Sequence, residues 1–283
     1  MAVAALRYAP SMTEPVWEFP VALPRHAFSA RDAARAGDLW RAFQEAAVGA
    51  SSRAGWSARR FSEAGTAFVV RTMTVRHHRE TYYGEPLHAR TWVCRFRREM
   101  ISSREVRLLD DAGGLVAEAT QEWVHIDLRA RTPVRAPESV TQAFPEHDEG
   151  QGVELPAFEE ASGPTDVFSL RPFYTSMDPL GHANHPAYVD WCDEATSRVM
   201  VRAGLDPLAL EPVAEQIVFR GGVGADELVE VQSRPVGVTA AGDLVLRHRV
   251  RLEGDVRAAD ATTVRRLHGL DPALLRRAFG VVA

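Results

Sequence analysis

Asp178-Pro179-Leu180-Gly181-His182-Ala183-Asn184-His185-Pro186 sets a carboxylate, two imidazoles and a carboxamide just ahead of a segment with helical character. Asn184 or His185 is the expected N-cap. Pro186 suits the first helical position, where no backbone N–H is needed. A polar loop running into a helix N-terminus offers free N–H donors and a partial positive charge. Such a place can polarise a carbonyl oxygen while a nearby carboxylate handles a water. Gly181 and the backbone around Asn184 are the expected oxyanion donors, with His185 as a positioning residue beside them. Alone, Asp178-Pro179 would be an ordinary turn opener. The combination with Gly181-His182-Ala183-Asn184 is what points to chemistry.

The elements that must hold this loop are legible from periodicity and turn residues. Leu39, Trp40, Phe43, Ala46 and Ala47 recur at helical spacing, which predicts a helix from Asp38 to about Ala54, stopped by Gly55. Strands are expected near 67–80, 86–99, 101–110 and 115–128, with Asp110-Asp111-Ala112-Gly113-Gly114 as a hairpin turn. The plan then repeats. A strand near 166–176 leads to the motif, a helix is expected at 186–203 before Gly204, and strands follow near 212–221, 227–238, 243–253 and 256–268. Gly84-Glu85-Pro86-Leu87 and Ala225-Asp226-Glu227-Leu228 open corresponding strands, an offset of 141 residues. The expected division is an extended arm (1–27), a first domain (28–128), a linker (129–165), a second domain (166–270) and a tail (271–283).

The bulk numbers narrow the class. Hydrophobic content of 46% is ample for a core, and a net charge of −5 gives no reason to expect nucleic acid as a partner. The sequence contains no lysine, so all 33 basic residues are arginine; a coding bias explains that more simply than selection. Cys94 and Cys192 lack metal-ligand spacing. His77-His78 on a strand would face opposite ways and make a poor metal pair. No metal or organic cofactor is expected. With no apolar run long enough to span a membrane and no leader-like start, a cytoplasmic location is the expectation.

The motif resembles the signature of hotdog-fold acyl thioesterases. Three further stretches resemble the fatty acyl-ACP thioesterase family: Ala67-Phe68-Val69-Val70-Arg71-Thr72-Met73, Tyr83-Gly84-Glu85-Pro86 through Trp92, and Glu122-Trp123-Val124-His125-Ile126-Asp127. The resemblance implies an α+β fold of two tandem hotdog domains, each a long central helix wrapped by a curved antiparallel sheet. It also implies hydrolysis of a medium- or long-chain acyl thioester on acyl carrier protein or CoA. In such families an Asp at position 178 activates water or attacks the thioester, His182 and Asn184 position water and carbonyl, and a helix acid such as Glu194 is a further candidate. The second half of the motif is also similar to single-hotdog 4-hydroxybenzoyl-CoA thioesterase-like proteins.

The first domain, which lacks the motif, is implied to hold the acyl chain. Phe43, Phe68, Met73, Trp92 and Trp123 are candidate pocket walls, joined by Tyr188 and Trp191. Core packing is an equal alternative for each. The chain departs from the plant-type pattern at Leu180 and His185, where asparagines are expected, and at Gly222, where an ungapped alignment places a downstream glutamate. Asp190 and Asp193 are expected to be solvated. A homodimer is an open option, and Arg95, Arg97 and Arg98 are a weak candidate contact for an acidic carrier. Two rival readings are a hydratase or dehydratase acting on acyl thioesters and a non-catalytic acyl-binding module.

Overall fold

The computed structural model describes residues 16–147, 150 and 152–281. In the first half, β1 (Val16–Val21) precedes the long helix α1 (Ala36–Arg53) and a short α2 (Ala58–Glu63). The strands β2 (Thr66–His77), β3 (Leu87–Arg97), β4 (Ile101–Asp110) and β5 (Leu115–Asp127) follow. A connector carrying α3 (Glu138–Thr141) and β6 (Phe158–Glu160) leads to β7 (Asp166–Leu170) and the second long helix, α4 (Ala187–Arg202). The chain ends with β8 (Leu210–Phe219), β9 (Val229–Thr239), β10 (Leu244–Leu252), β11 (Val256–Leu267) and α5 (Pro272–Ala278). Both long helices stop where the glycines stand: Gly55 and Gly204 take positive φ, which costs a residue without Cβ nothing.

The strands form one antiparallel sheet in the order β1-β3-β4-β5-β2-β8-β11-β10-β9-β6, with β7 also on β9. Its midpoint is the β2–β8 pair, where Val75 lies opposite Glu215 and Thr74 opposite Gln216. Each half curls around its own helix, because alternate strand positions are apolar and face it. Phe43 and Trp40 of α1 pack with Val75, Val106 and Ala119, while Tyr188 and Cys192 of α4 pack with Ile217, Val229 and Val250. This is the expected α+β architecture of two tandem hotdogs. At the seam, Arg41 of α1 pairs with Asp190 of α4 at 2.5 Å, and Gly37 leaves the room that Asp190 occupies.

The two halves repeat more closely than the sequence suggests. The bulges at Arg71 and Cys94 recur at Val213 and Val236, and β3 and β9 both run for 11 residues, from Leu87 and from Val229. The true offset is therefore one residue longer than the sequence reading. Among the described residues, no helix is long and apolar enough to cross a membrane.

Candidate active site

The motif loop is built by its own backbone. A 3-10 turn at Tyr174–Ser176 leads into a tight loop in which the Asp178 N–H donates to the His182 carbonyl (2.8 Å) and the Gly181 N–H to the Asp178 carbonyl (3.0 Å). Gly181 sits at φ +79°, a left-handed turn position that suits glycine. The Ala183 N–H donates to Val223 (2.7 Å) and the Asn184 N–H to Ser176 (3.1 Å), tying the loop to the segment after β8 and to its own entry. No side chain caps α4. The expected caps, Asn184 and His185, accept instead through their backbone carbonyls, from Ala187 and Tyr188.

This scaffold brings Asp178 and His182 together. Asp178 Oδ1 accepts the Leu180 N–H at 2.8 Å, and Oδ2 stands 3.2 Å from His182 Nδ1. The carboxylate is thus aimed at the imidazole by an Asx turn. His182 is held by Gly222, where a Cβ would lie 3.0 Å from the His182 Cβ and 3.1 to 3.2 Å from the ring atoms Cδ2 and Cγ. Gly222 is where the ungapped sequence alignment places a glutamate; the His182 side chain lies against it. The segment is propped by Tyr188, whose hydroxyl lies 3.4 Å from the Gly221 carbonyl. Burial, and then the charges of Glu227 and Asp178, push the Tyr188 phenol up and keep it neutral.

His185 lies deeper, beside Trp40, Trp123 and Phe219 at ring-centroid distances of 6.3, 6.1 and 5.9 Å. Burial, reinforced by His182 and Arg41, lowers its pKa to about 3, so it is a neutral imidazole at ordinary pH. Its Nε2 and the Oδ1 of Asn184 are buried atoms without a hydrogen-bond partner. Among the described residues, the backbone N–H groups of His182 and His185 also make no hydrogen bond. The Gly181 N–H is already used, so Gly181 shapes the turn and the available donors lie at His182 and His185.

The other candidates fall elsewhere. Glu194 is on the solvent side of α4, paired with Arg198 at 2.6 Å, and does not join Asp178 and His182. Helical spacing puts it a full face away from the loop. Trp92 is on the outer face of the first half-sheet, under Arg107 and beside His147, because β3 alternates and Ala89 and Val93 take the inner face. Phe68 belongs to a satellite cluster with Phe61 and His125. Phe43, Met73, Tyr188 and Trp191 lie in the core between helices and sheet, and Trp123 is the one of these aromatics from the first half that touches His185.

Asp190 and Asp193 are not simply solvated. Asp193 binds Arg265 Nε at 2.8 Å, and Arg265 Nη1 reaches Glu215 at 2.5 Å. Glu215 also takes Trp40 Nε1 (3.0 Å) and faces His77 Nε2 (2.8 Å). Burial alone would raise the Glu215 carboxyl, but His77 and Arg265 hold it low, at about 2. Glu215 is thus consumed by a buried network and cannot stand in for the absent downstream glutamate. A sequence signal for Gly222 was present in Arg220-Gly221-Gly222-Val223-Gly224, a glycine-rich stretch following a strand.

Residues 23–144 match the model of the acyl-ACP thioesterase N-terminal domain. The chloroplastic acyl-[acyl-carrier-protein] hydrolase FATB2 of Cuphea viscosissima is 25% identical over 138 residues, which is 46% of this chain and only 33% of that protein's length. An acyl-ACP thioesterase structure from Bacteroides thetaiotaomicron VPI-5482 superposes with a TM-score of 0.72 at 14% identity, over 89% of this chain and 98% of that one. A 12:0-ACP thioesterase from Umbellularia californica does so at 0.72 and 17%, over 89% and 94%. These likenesses establish the tandem-hotdog fold, and the match over residues 23–144 bears out, for those residues, the resemblance read from the sequence.

Proposed function

We propose that this chain, whose first half carries the acyl-ACP thioesterase N-terminal domain, hydrolyses medium- or long-chain fatty acyl thioesters on acyl carrier protein or CoA at the loop before α4. The observation that carries the reading is the Asp178–His182 pair, 3.2 Å apart on a loop where Asn184 Oδ1 and His185 Nε2 are buried without a hydrogen-bond partner. Asp178 Oδ2 takes the Nδ1 side of His182, which leaves Nε2 as the nitrogen able to accept a proton from water. The carboxylate then fixes the tautomer and stabilises the imidazolium, as in other carboxylate–histidine pairs. The activated water attacks the thioester carbonyl, and collapse of the tetrahedral adduct breaks the C–S bond, the leaving carrier thiolate taking back the proton held on His182 Nε2. The oxyanion is met by the free N–H groups of His182 and His185, where the start of α4 adds its partial positive charge.

His185 stays neutral through burial, so it orients rather than transfers protons. Direct action of Asp178 on water, the role first expected for it, would need Oδ2 to leave His182. The aromatic cluster of Trp40, Trp123 and Phe219 around His185 is assigned to meet the acyl group near the carbonyl. The domain division expected from the sequence is kept as part of this proposal, with the first domain holding the chain and the second cleaving it. No step requires a metal or an organic cofactor.

The test is free-thiol release from a chain-length panel of acyl-carrier and acyl-CoA thioesters. Wild type is expected to turn over part of the panel. Binding of the thioesters without thiol release would contradict the proposal and favour a binding module, and turnover of enoyl thioesters without thiol release would favour a hydratase.

A further inference from the structure

The outer face of the second half-sheet carries a surplus of arginine. Arg234 of β9, Arg247 and Arg249 of β10 and Arg257 of β11 are all exposed, with Arg220 just beyond β8. Arg247 lies directly opposite Arg234, whereas Arg251 and Arg257, which also face one another, are paired with Asp255 and Asp260. Like charges in facing strand positions repel, so this face holds cations against its own stability. A shallow groove of about 250 Å³ runs among Arg247, Arg249 and Arg257 over Ala261 and Thr262. Its one carboxylate, Asp260, is already engaged by Arg220 (3.2 Å) and Arg257 (3.3 Å). Among the described residues, Arg234, Arg247 and Arg249 make no ion pair or hydrogen bond.

A bias toward arginine codons does not explain this, because the repeat supplies an internal control. The positions equivalent to Arg234, Arg247, Arg249 and Asp260 in the first half are Trp92, Glu105, Arg107 and Glu118, in the same register. That face is balanced in charge and is crossed by the connector, where the Val153 N–H donates to Thr120 and Gly150 lies against Glu105. On the second face the connector's Leu155 packs at one end, against Val213, Val245 and Val264, while Arg234, Arg247, Arg249 and Arg257 stay exposed. This face also begins at the candidate site. The N–H groups of Arg220 and Gly221 both donate to the Ala258 carbonyl, beside Arg257, and Gly222 lies on His182.

We propose that this arginine face docks a small acidic carrier protein presenting the acyl thioester to the Asp178–His182 loop. The inference rests on the thioesterase reading and adds the carrier and its landing surface. The guanidinium groups are spread over three strands, roughly 10 Å across. The backbone under them is committed to the sheet and offers no N–H cradle of the kind that holds a single phosphate. An acidic helix matches that layout, whereas a CoA nucleotide does not. On a chain of net charge −5, one cationic face also orients an acidic partner as it approaches.

The test is the charge reversal R247E/R249E, which breaks no contact in the free protein, checked for folding by circular dichroism. Acyl-carrier, acyl-CoA and acyl-pantetheine thioesters are compared over a salt series. The expected result is a KM for the acyl-carrier substrate raised about tenfold or more with kcat kept, and an unchanged pantetheine substrate. In the wild type, added salt should raise the acyl-carrier KM toward the variant's. An unchanged carrier KM overturns the proposal. So does an equal rise for acyl-CoA, which would mean that the face reads phosphate. If wild type releases thiol from nothing, the hydrolase reading fails and titration with non-acylated carrier protein decides the surface. Binding lost in the variant supports docking; no binding by wild type, or loss of binding only to anionic vesicles, overturns it.

Discussion

The loops before α1 and α4 share a backbone and almost none of their chemistry. Ser29 occupies the place of Asp178, and its N–H donates to the Ala33 carbonyl as that of Asp178 does to His182. Asp32, at φ +65°, copies the turn made by Gly181, and the Ser29 hydroxyl accepts the Arg31 N–H as Asp178 accepts that of Leu180. The Ala34 N–H reaches Thr81 where that of Ala183 reaches Val223. Yet Ala33 stands for His182 and Ala36 for His185. Opposite Gly222 is Glu80, clamped by Arg31 through two hydrogen bonds of 3.0 and 2.5 Å.

The interior differs in the same sense. By strand register, Phe219, Trp123 and Met73 correspond to His77, Arg265 and Glu215. The aromatic cluster at one loop is thus matched by a charge network at the other. Loop geometry is the common frame; what makes one copy a candidate site is a carboxylate–imidazole pair and the apolar aromatic cluster of Trp40, Trp123 and Phe219 beside it.

That contrast can be broken from either side. The largest effect is expected for Glu215→Gln, which leaves Arg265 buried without its closest counter-charge and should cost about 3 to 5 kcal/mol, read by urea unfolding. Its counterpart change, Met73→Leu, should cost less than about 1.5 kcal/mol. A loss of similar size from both would mean that the network is not what distinguishes the halves.

Glu105 gives a test on the outer faces, where it is the counterpart of Arg247. Burial raises its pKa from 4.5 to about 7. The folded chain therefore keeps a proton that the unfolded chain has released, and stability falls as pH rises from about 4.5 to 7. Glu105→Gln should remove this fall, a gain of about 3 kcal/mol above pH 7 that vanishes below pH 4.5. Thermal melts across pH would show it, and a pH-independent difference between the proteins would refute the assignment.

The smallest expected effect sharpens the site itself. Gly222 does not have a positive φ, so alanine is allowed by the backbone and only His182 obstructs it. Gly222→Ala should lower kcat about tenfold, some 1.4 kcal/mol of barrier, with little change in melting temperature. Equal activity would mean that the ring is not held by that contact.

Much of this was legible in the sequence because it is local. Helix stops at Gly55 and Gly204, the Asp110–Gly114 turn and the strand alternation depend on near neighbours, and the observed boundaries follow them closely. Asp178, His182 and Gly181 were legible as a loop because they sit within one turn. What the sequence did not reveal depends on pairing across the fold. Trp92 faces outward because of β3 register, Glu194 faces solvent because of helical phase, and Asp193 is bound because β11 brings Arg265 beneath α4. Gly222 had no visible partner until the β8 exit was seen against His182.

The central claim is that one of two equivalent loops does the chemistry. Its most direct test gives the second loop the residues of the first, as Asp178→Ser with His182→Ala, and compares thiol release with that of Ser29→Ala, both proteins being shown to be folded. The account predicts release lowered about a thousandfold or more for the double variant, the backbone N–H groups leaving a small residual rate, and wild-type turnover for Ser29→Ala. Turnover surviving near the wild-type level in the double variant would contradict it and move the catalytic groups away from the loop before α4.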